Sequence, residues 1–147
     1  MRRLPALSDR PRGALVALRV AVALLIGVHG VARVGLGIVD DFGGFLEGFG
    51  FPLGVGLAWA ITVGEIVGGV LLVAGRWVRP VALTLALELA VGVALVHAAE
   101  GWFVVGAGRN GMEYSVLLIA VLLAVAYASG PDPAPESTPP SPRRASA

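Results

Sequence analysis

The sequence predicts an all-α integral membrane protein: a four-helix bundle with both termini in the cytoplasm and a short amphipathic helix in its first outer loop. Three observations lead there. Hydrophobic residues make up 56% of the 147 and charged residues 14%, against roughly 45–50% and about 25% in soluble domains. So few charges cannot cover a water-facing surface, and the mean hydropathy of +0.84 agrees. Second, four apolar runs of about spanning length follow one another with short polar links between them. Third, the arginines gather in the two tails and in the second link. A net charge of +1 excludes a phosphate-neutralising surface, so no nucleic acid is expected. The chain has no cysteine, which excludes disulfides and thiolate metal sites. It has no lysine either, so Schiff-base catalysis is excluded.

Residues 1–13 form a basic tail with Arg2, Arg3, Arg10 and Arg12. The first span, 14–34, carries Arg19, His29 and Arg33. A signal peptide is the alternative, but no A-x-A site follows the apolar run and the run is long enough to cross. Arg19 lies near the cytoplasmic end, where a long side chain can snorkel to the headgroups. In the first loop, Phe42, Phe45, Leu46 and Phe49 recur at helical spacing behind Asp40 and Asp41, which are suited to N-cap positions. Gly48 and Gly50 are placed to end that helix. It reads as a headgroup-level amphipathic helix, with a substrate lid as the alternative.

The second span, 52–75, places Pro52 in its first turn, where a missing N–H costs nothing. The tight 76–80 link forces the third span, 78–99, to return antiparallel. The fourth is 111–129. Residues 130–147 are rich in proline and serine and lack apolar periodicity, which predicts a disordered cytoplasmic tail. Arg76, Arg79, Arg143 and Arg144 share the side of the N-terminal arginines, whereas the outer loops hold only Arg109.

Ionisable residues inside spans carry the functional information, because each costs roughly 2.5–3.5 kcal/mol at a helix centre. His29 and Arg33 are four apart and share a face. Glu65 lies mid-span in the second helix, His97 and Glu100 near the outer end of the third, and Glu113 at the start of the fourth. These are expected to converge as a polar intramembrane cluster of His29, Arg33, Glu65, His97 and Glu113. Arg33 needs a carboxylate partner, either Glu65 or Glu113. Gly64, Gly68 and Gly69 are expected to admit a close partner helix, with Gly64 and Gly68 forming a G-x-x-x-G pair. Glu88 is turned about half a revolution from His97, so it reads as a subunit contact or a protonated acid outside the cluster. An Arg33–glutamate pair can serve assembly alone or can line a ligand site. No E-x-x-H, Walker, dinucleotide or nucleophile-elbow motif occurs, and no metal site is expected. Haem ligation by His29 and His97 is a weaker alternative.

The segments HGVARVGLG (29–37), FLEGFGFP (45–52), GEIVGGVLLVAGRWVRP (64–80), LVHAAEGWF (95–103) and NGMEYSVLLI (110–119) resemble the DoxX family of small four-span bacterial membrane proteins. The resemblance implies a multi-pass protein of the bacterial plasma membrane. Founding members of the family are subunits of a quinol oxidase and of a thiosulfate:quinone oxidoreductase, and others look like membrane scaffolds. Two functions are therefore expected to compete. One is a scaffold or accessory subunit of a membrane complex, requiring no cofactor and engaging the bilayer and a protein partner or a second copy. The other is a subunit that binds quinone at the polar cluster. A transporter is the weaker third, since no inverted repeat is visible.

Overall fold

A backbone in lipid must satisfy its hydrogen bonds internally, so runs of Ala, Val and Leu become helices. The computed structural model describes residues 9–106 and 110–130. They form α1 (Asp9–Leu36), α2 (Val39–Gly48), α3 (Gly54–Ala74), α4 (Val78–Gly92), a π-helical continuation of α4 (Val93–His97), and α5 (Glu113–Ala128). No strand occurs among the described residues. Most of the basic tail, Arg109 and the proline-rich tail beyond Gly130 lie outside them. Three helices are long and apolar enough to cross a membrane: Pro11–Leu36, Gly54–Ala74 and the continuous Val78–His97. The fourth, α5, is a shorter apolar helix.

Several boundaries differ from the expected ones. Helical structure begins at Asp9, five residues before the expected first span. Pro52 lies outside α3, because Leu53 is the N-cap with φ 59° and Gly54 is the first helical residue. The helix starts where α2 reaches it: a Cβ at Gly43 would lie 2.5 Å from Cα of Val55. Asp40 and Asp41 do not cap α2 either. Ile38 holds that position, and the two carboxylates sit in the first turn, where they favour the positive end of the helix dipole. Asp40 instead accepts a hydrogen bond from Trp59 Nε1 at 3.3 Å, tying α2 to α3. Gly50, at φ 86°, ends α2. The Phe51 N–H returns to the Leu46 carbonyl at 3.2 Å and the Gly50 N–H to that of Glu47 at 2.8 Å, a left-handed turn that suits glycine. The third apolar helix is not uniform. After Gly92 its ladder widens, and the Ala98 N–H reaches the Val93 carbonyl at 2.8 Å.

The main apolar core joins Val22 and Ile26 of α1, Leu72 of α3, Ala82 and Leu85 of α4, and Leu118 and Leu122 of α5. A smaller core joins Val39 and Leu46 of α2 to Ala58 of α3, with Phe42 and Phe51 against it. Thus α2 is docked on the helices.

The glycines divide differently from the expected motif. Gly69 faces α1, where a Cβ would lie 3.0 Å from the Ala23 carbonyl, and Gly68 faces Leu85 of α4 at 3.2 Å. At Gly64 a Cβ would meet nothing within 4 Å. The tightest α1–α3 approach is at Gly30, where a Cβ would lie 2.7 Å from the Thr62 carbonyl and 2.8 Å from Ile66 Cγ1. Gly30→Val is therefore expected to lower stability by about 1–3 kcal/mol, as overpacking does. Gly64→Ala should be neutral or stabilising, since alanine is favoured in helices by about 1 kcal/mol. Thermal unfolding in one mild detergent compares the two; equal losses would contradict this packing.

Candidate functional site

Thr62 and Glu65 are three residues apart on α3 and therefore share a face. Both are buried. Arg33, from the last turn of α1, reaches them with separate nitrogens. Its Nη2 donates to Glu65 Oε1 at 2.7 Å and its Nη1 to Thr62 Oγ1 at 2.9 Å. The guanidinium carbon stands 4.8 Å from the ring centroid of Phe42 on α2, a cation–π contact. Gly30, one turn before Arg33, provides the close approach that makes this reach possible. A charge that cannot leave its proton behind is thus matched by a carboxylate, a hydroxyl and an aromatic face.

A third ionisable group joins this pair. Glu88, from the middle of α4, lines the same cleft as Arg33 and Glu65. Sequence reasoning set Glu88 apart, because it compared that residue only with His97 on its own helix. The usable signal was the hairpin. Glu65 lies eleven residues before Arg76 and Glu88 eleven after Trp77, so a tight antiparallel turn sets them at one height. Glu65 Oε2 is buried and receives no hydrogen bond from any N–H or hydroxyl group.

Arg33, Glu65 and Glu88 form the polar end of a cleft of about 320 Å³, walled by Phe42, Phe45 and Phe51 below α2 and by Leu89, Leu95 and Val96. That volume is at the small end of ligand sites. The π-helical segment supplies part of one wall, a distortion that recurs at functional sites. Phe45 stacks edge-on with Phe49 at 5.0 Å, stiffening the aromatic wall. Chemically, Arg33 commits one N–H to Glu65 and one to Thr62, and the acceptors at this end of the cleft are carboxyl oxygens. The site is therefore suited to a neutral apolar molecule bringing a hydroxyl donor. An oxyanion would face two carboxyl groups.

The other expected site residues lie elsewhere. His29 is exposed on α1 in a shallow groove with Asp41, Phe42 and Phe45. It adjoins the cluster from outside. His97 donates from Nδ1 to the Asn110 carbonyl at 2.8 Å, closing the loop before α5. Glu113 accepts the Val104 N–H at 3.0 Å and also fastens that loop. Of the two glutamates considered for Arg33, Glu65 is the one it meets. The order along the helices was readable for His97 and Glu113, but not their rotation toward the loop. Among the described residues, no group of three or more His, Asp and Glu side chains is placed to hold a metal ion.

Comparison with known proteins gives one finding. No curated protein and no solved structure matches the chain. The family model for DoxX matches residues 14–98. That stretch runs from the second turn of α1 past the π-helical segment, and contains every residue named in the cleft. It ends before the 110–119 segment, which belongs to the resemblance read from sequence but not to the match. Since more than half of the chain is covered, this membrane protein belongs to the DoxX family.

Proposed function

We propose that this chain is an accessory subunit of a redox complex in the bacterial plasma membrane, and that its cleft binds a quinol-class molecule. One observation carries the reading: a part-buried Arg33 paired with the buried Glu65, with Glu88 in the same lining, closes the end of an otherwise apolar, aromatic-walled cleft. A hydroquinone ring would lie between Phe42, Phe51 and Leu89, and its hydroxyl would donate to the carboxyl pair. Two adjacent carboxyl groups beside one guanidinium can accept that hydroxyl's proton and return it, while the electrons pass to and from a redox centre of the partner subunits. A purely structural scaffold is the second reading. It is favoured by the fact that Arg33 already finds a carboxylate, a hydroxyl and an aromatic ring within the protein.

In this proposal α5 completes a four-span bundle. The arginine-bearing ends of α1, α3 and α4 and the end of α5 face the cytoplasm, and α2 lies at the outer surface as a lid over the cleft. The domains are then a basic tail, a membrane unit of residues 14–129 and an irregular cytoplasmic tail. A periplasm-active reporter should work when fused after Phe51 and fail after Ser129; the opposite pattern would overturn the orientation.

Ligand binding is tested by purification in mild detergent, solvent extraction and chromatographic measurement of bound quinone. Stoichiometric quinone is expected in the wild type. Little should remain in Gly92→Phe, which projects a ring from a wall position where a Cβ has open space. Equal quinone in both, or none in either while the protein holds its partner, would favour the scaffold.

A further inference from the structure

A second cavity, of about 290 Å³, lies at the end of the molecule remote from the cleft. Arg12, Leu15 and Arg19 of α1 face Val125 and Ser129 across it. Arg19 rests against Gly75 at the end of α3, where a Cβ would lie 3.3 Å from its Nη2. The free carbonyls of a helix end attract a cation there, which accounts for the position of the guanidinium. It does not account for Nε, which is buried without a hydrogen-bond partner. Ser129, whose hydroxyl donates to the Val125 carbonyl at 2.8 Å, keeps lone pairs that could accept, yet Nε makes no hydrogen bond to it. Among the described side chains, every acidic group lies on α2, within α3 or α4, or between the π-helical segment and the start of α5. Two arginines thus share a cavity that contains no counter-charge from those groups.

Depth identifies the kind of anion that these two arginines suit. The apolar stretch of α1 from Pro11 to Leu36 has 26 residues, about 39 Å of helix, against a hydrocarbon core of about 30 Å. Its first turns therefore extend to the level of lipid phosphates. Leu15 and Val125 continue the cavity wall toward the hydrocarbon.

We propose that this cavity binds the phosphate of an anionic phospholipid, with Arg12 and Arg19 as its donors. The recognised chemistry is a phosphate oxyanion, for which arginine geometry is well suited. The apolar walls and the membrane depth favour a lipid over free phosphate, and basic recesses between membrane helices serve this purpose in general.

The test uses the full chain in an uncharged detergent. Native mass spectrometry and thermal unfolding are followed with dioleoylphosphatidylglycerol, dioleoylphosphatidylcholine, and sodium phosphate at matched ionic strength. The phosphatidylglycerol should be retained at one per chain and should raise the unfolding temperature, with phosphatidylcholine and inorganic phosphate doing much less. Arg12→Gln, an exposed position, should weaken retention by about fivefold, and Arg19→Lys should weaken it while keeping the charge beside α3. Arg76→Gln, which removes the same charge outside the cavity, should leave retention nearly unchanged. Retention of phosphatidylglycerol unaltered by both Arg12→Gln and Arg19→Lys would overturn the proposal. So would equal retention of phosphatidylcholine, or an equal temperature rise with inorganic phosphate alone.

Discussion

Glu65→Gln combined with Glu88→Gln is expected to be the most damaging pair of substitutions in the chain. It leaves the part-buried Arg33 with Thr62 and Phe42 but without a negative partner. Stranding a charge in this way costs roughly 3–5 kcal/mol. Each single substitution should cost less, because the remaining glutamate lines the same cleft and can act as counter-ion. Arg33→Leu should also be milder, since orphaned carboxyl groups can escape much of the penalty by taking up protons. Adding Arg33→Leu to the double glutamate variant should therefore restore stability. Thermal unfolding in a single detergent reads all five proteins. Strictly additive losses would mean that the three residues do not act as one cluster.

The second large effect concerns the lid. A side chain at Gly43 has no space, because its Cβ would lie 2.5 Å from the Val55 backbone and 2.8 Å from Val55 Cγ2. The colliding atoms belong mostly to the start of α3 and cannot swing aside. Gly43→Val is expected to lift α2 from α3, breaking the Trp59–Asp40 hydrogen bond and withdrawing Phe42 from Arg33. Amide hydrogen exchange across α2 should accelerate by more than tenfold, equivalent to a loss of about 1.4 kcal/mol or more, within the range for overpacking. Gly44→Val is the control, since a Cβ there meets nothing within 4 Å. Equal exchange in both variants would mean that α2 is not held by this contact.

Much of this arrangement was legible in the chain, for reasons that differ from residue to residue. The apolar runs announced the helices, because lipid leaves a backbone no other economical structure. Arg33 announced a buried carboxylate partner, because its charge is permanent. What could not be read was rotation about each helix axis. Gly64 and Gly68 matched a spacing motif, yet Gly64 faces away from every neighbour while Gly30, outside the motif, makes the close contact. His97 and Glu113 were expected at the level of the cluster but turn to the loop that joins them. The π-helical turn at Val93–His97 has no local signature in the sequence. Leu53 and Trp77 adopt left-handed φ at the starts of α3 and α4, a conformation that their residue types disfavour. Glu88 was within reach of sequence reasoning, had the hairpin rather than the single helix been taken as the ruler.

A cleft that binds quinol through Glu65 and Glu88 is most directly examined by photolabelling. A hydroquinone analogue with a photoreactive azide on its ring is added to the purified chain, irradiated, and mapped by peptide mass spectrometry. Labels are expected on the segments that wall the cleft, around Phe42, Phe51 and Leu89 to Val96. They should be displaced by unmodified hydroquinone and lost in Gly92→Phe. Labels scattered instead over exposed outer positions such as Leu24, Val70 and Leu117, undiminished by either competitor or substitution, would contradict a binding site in the cleft.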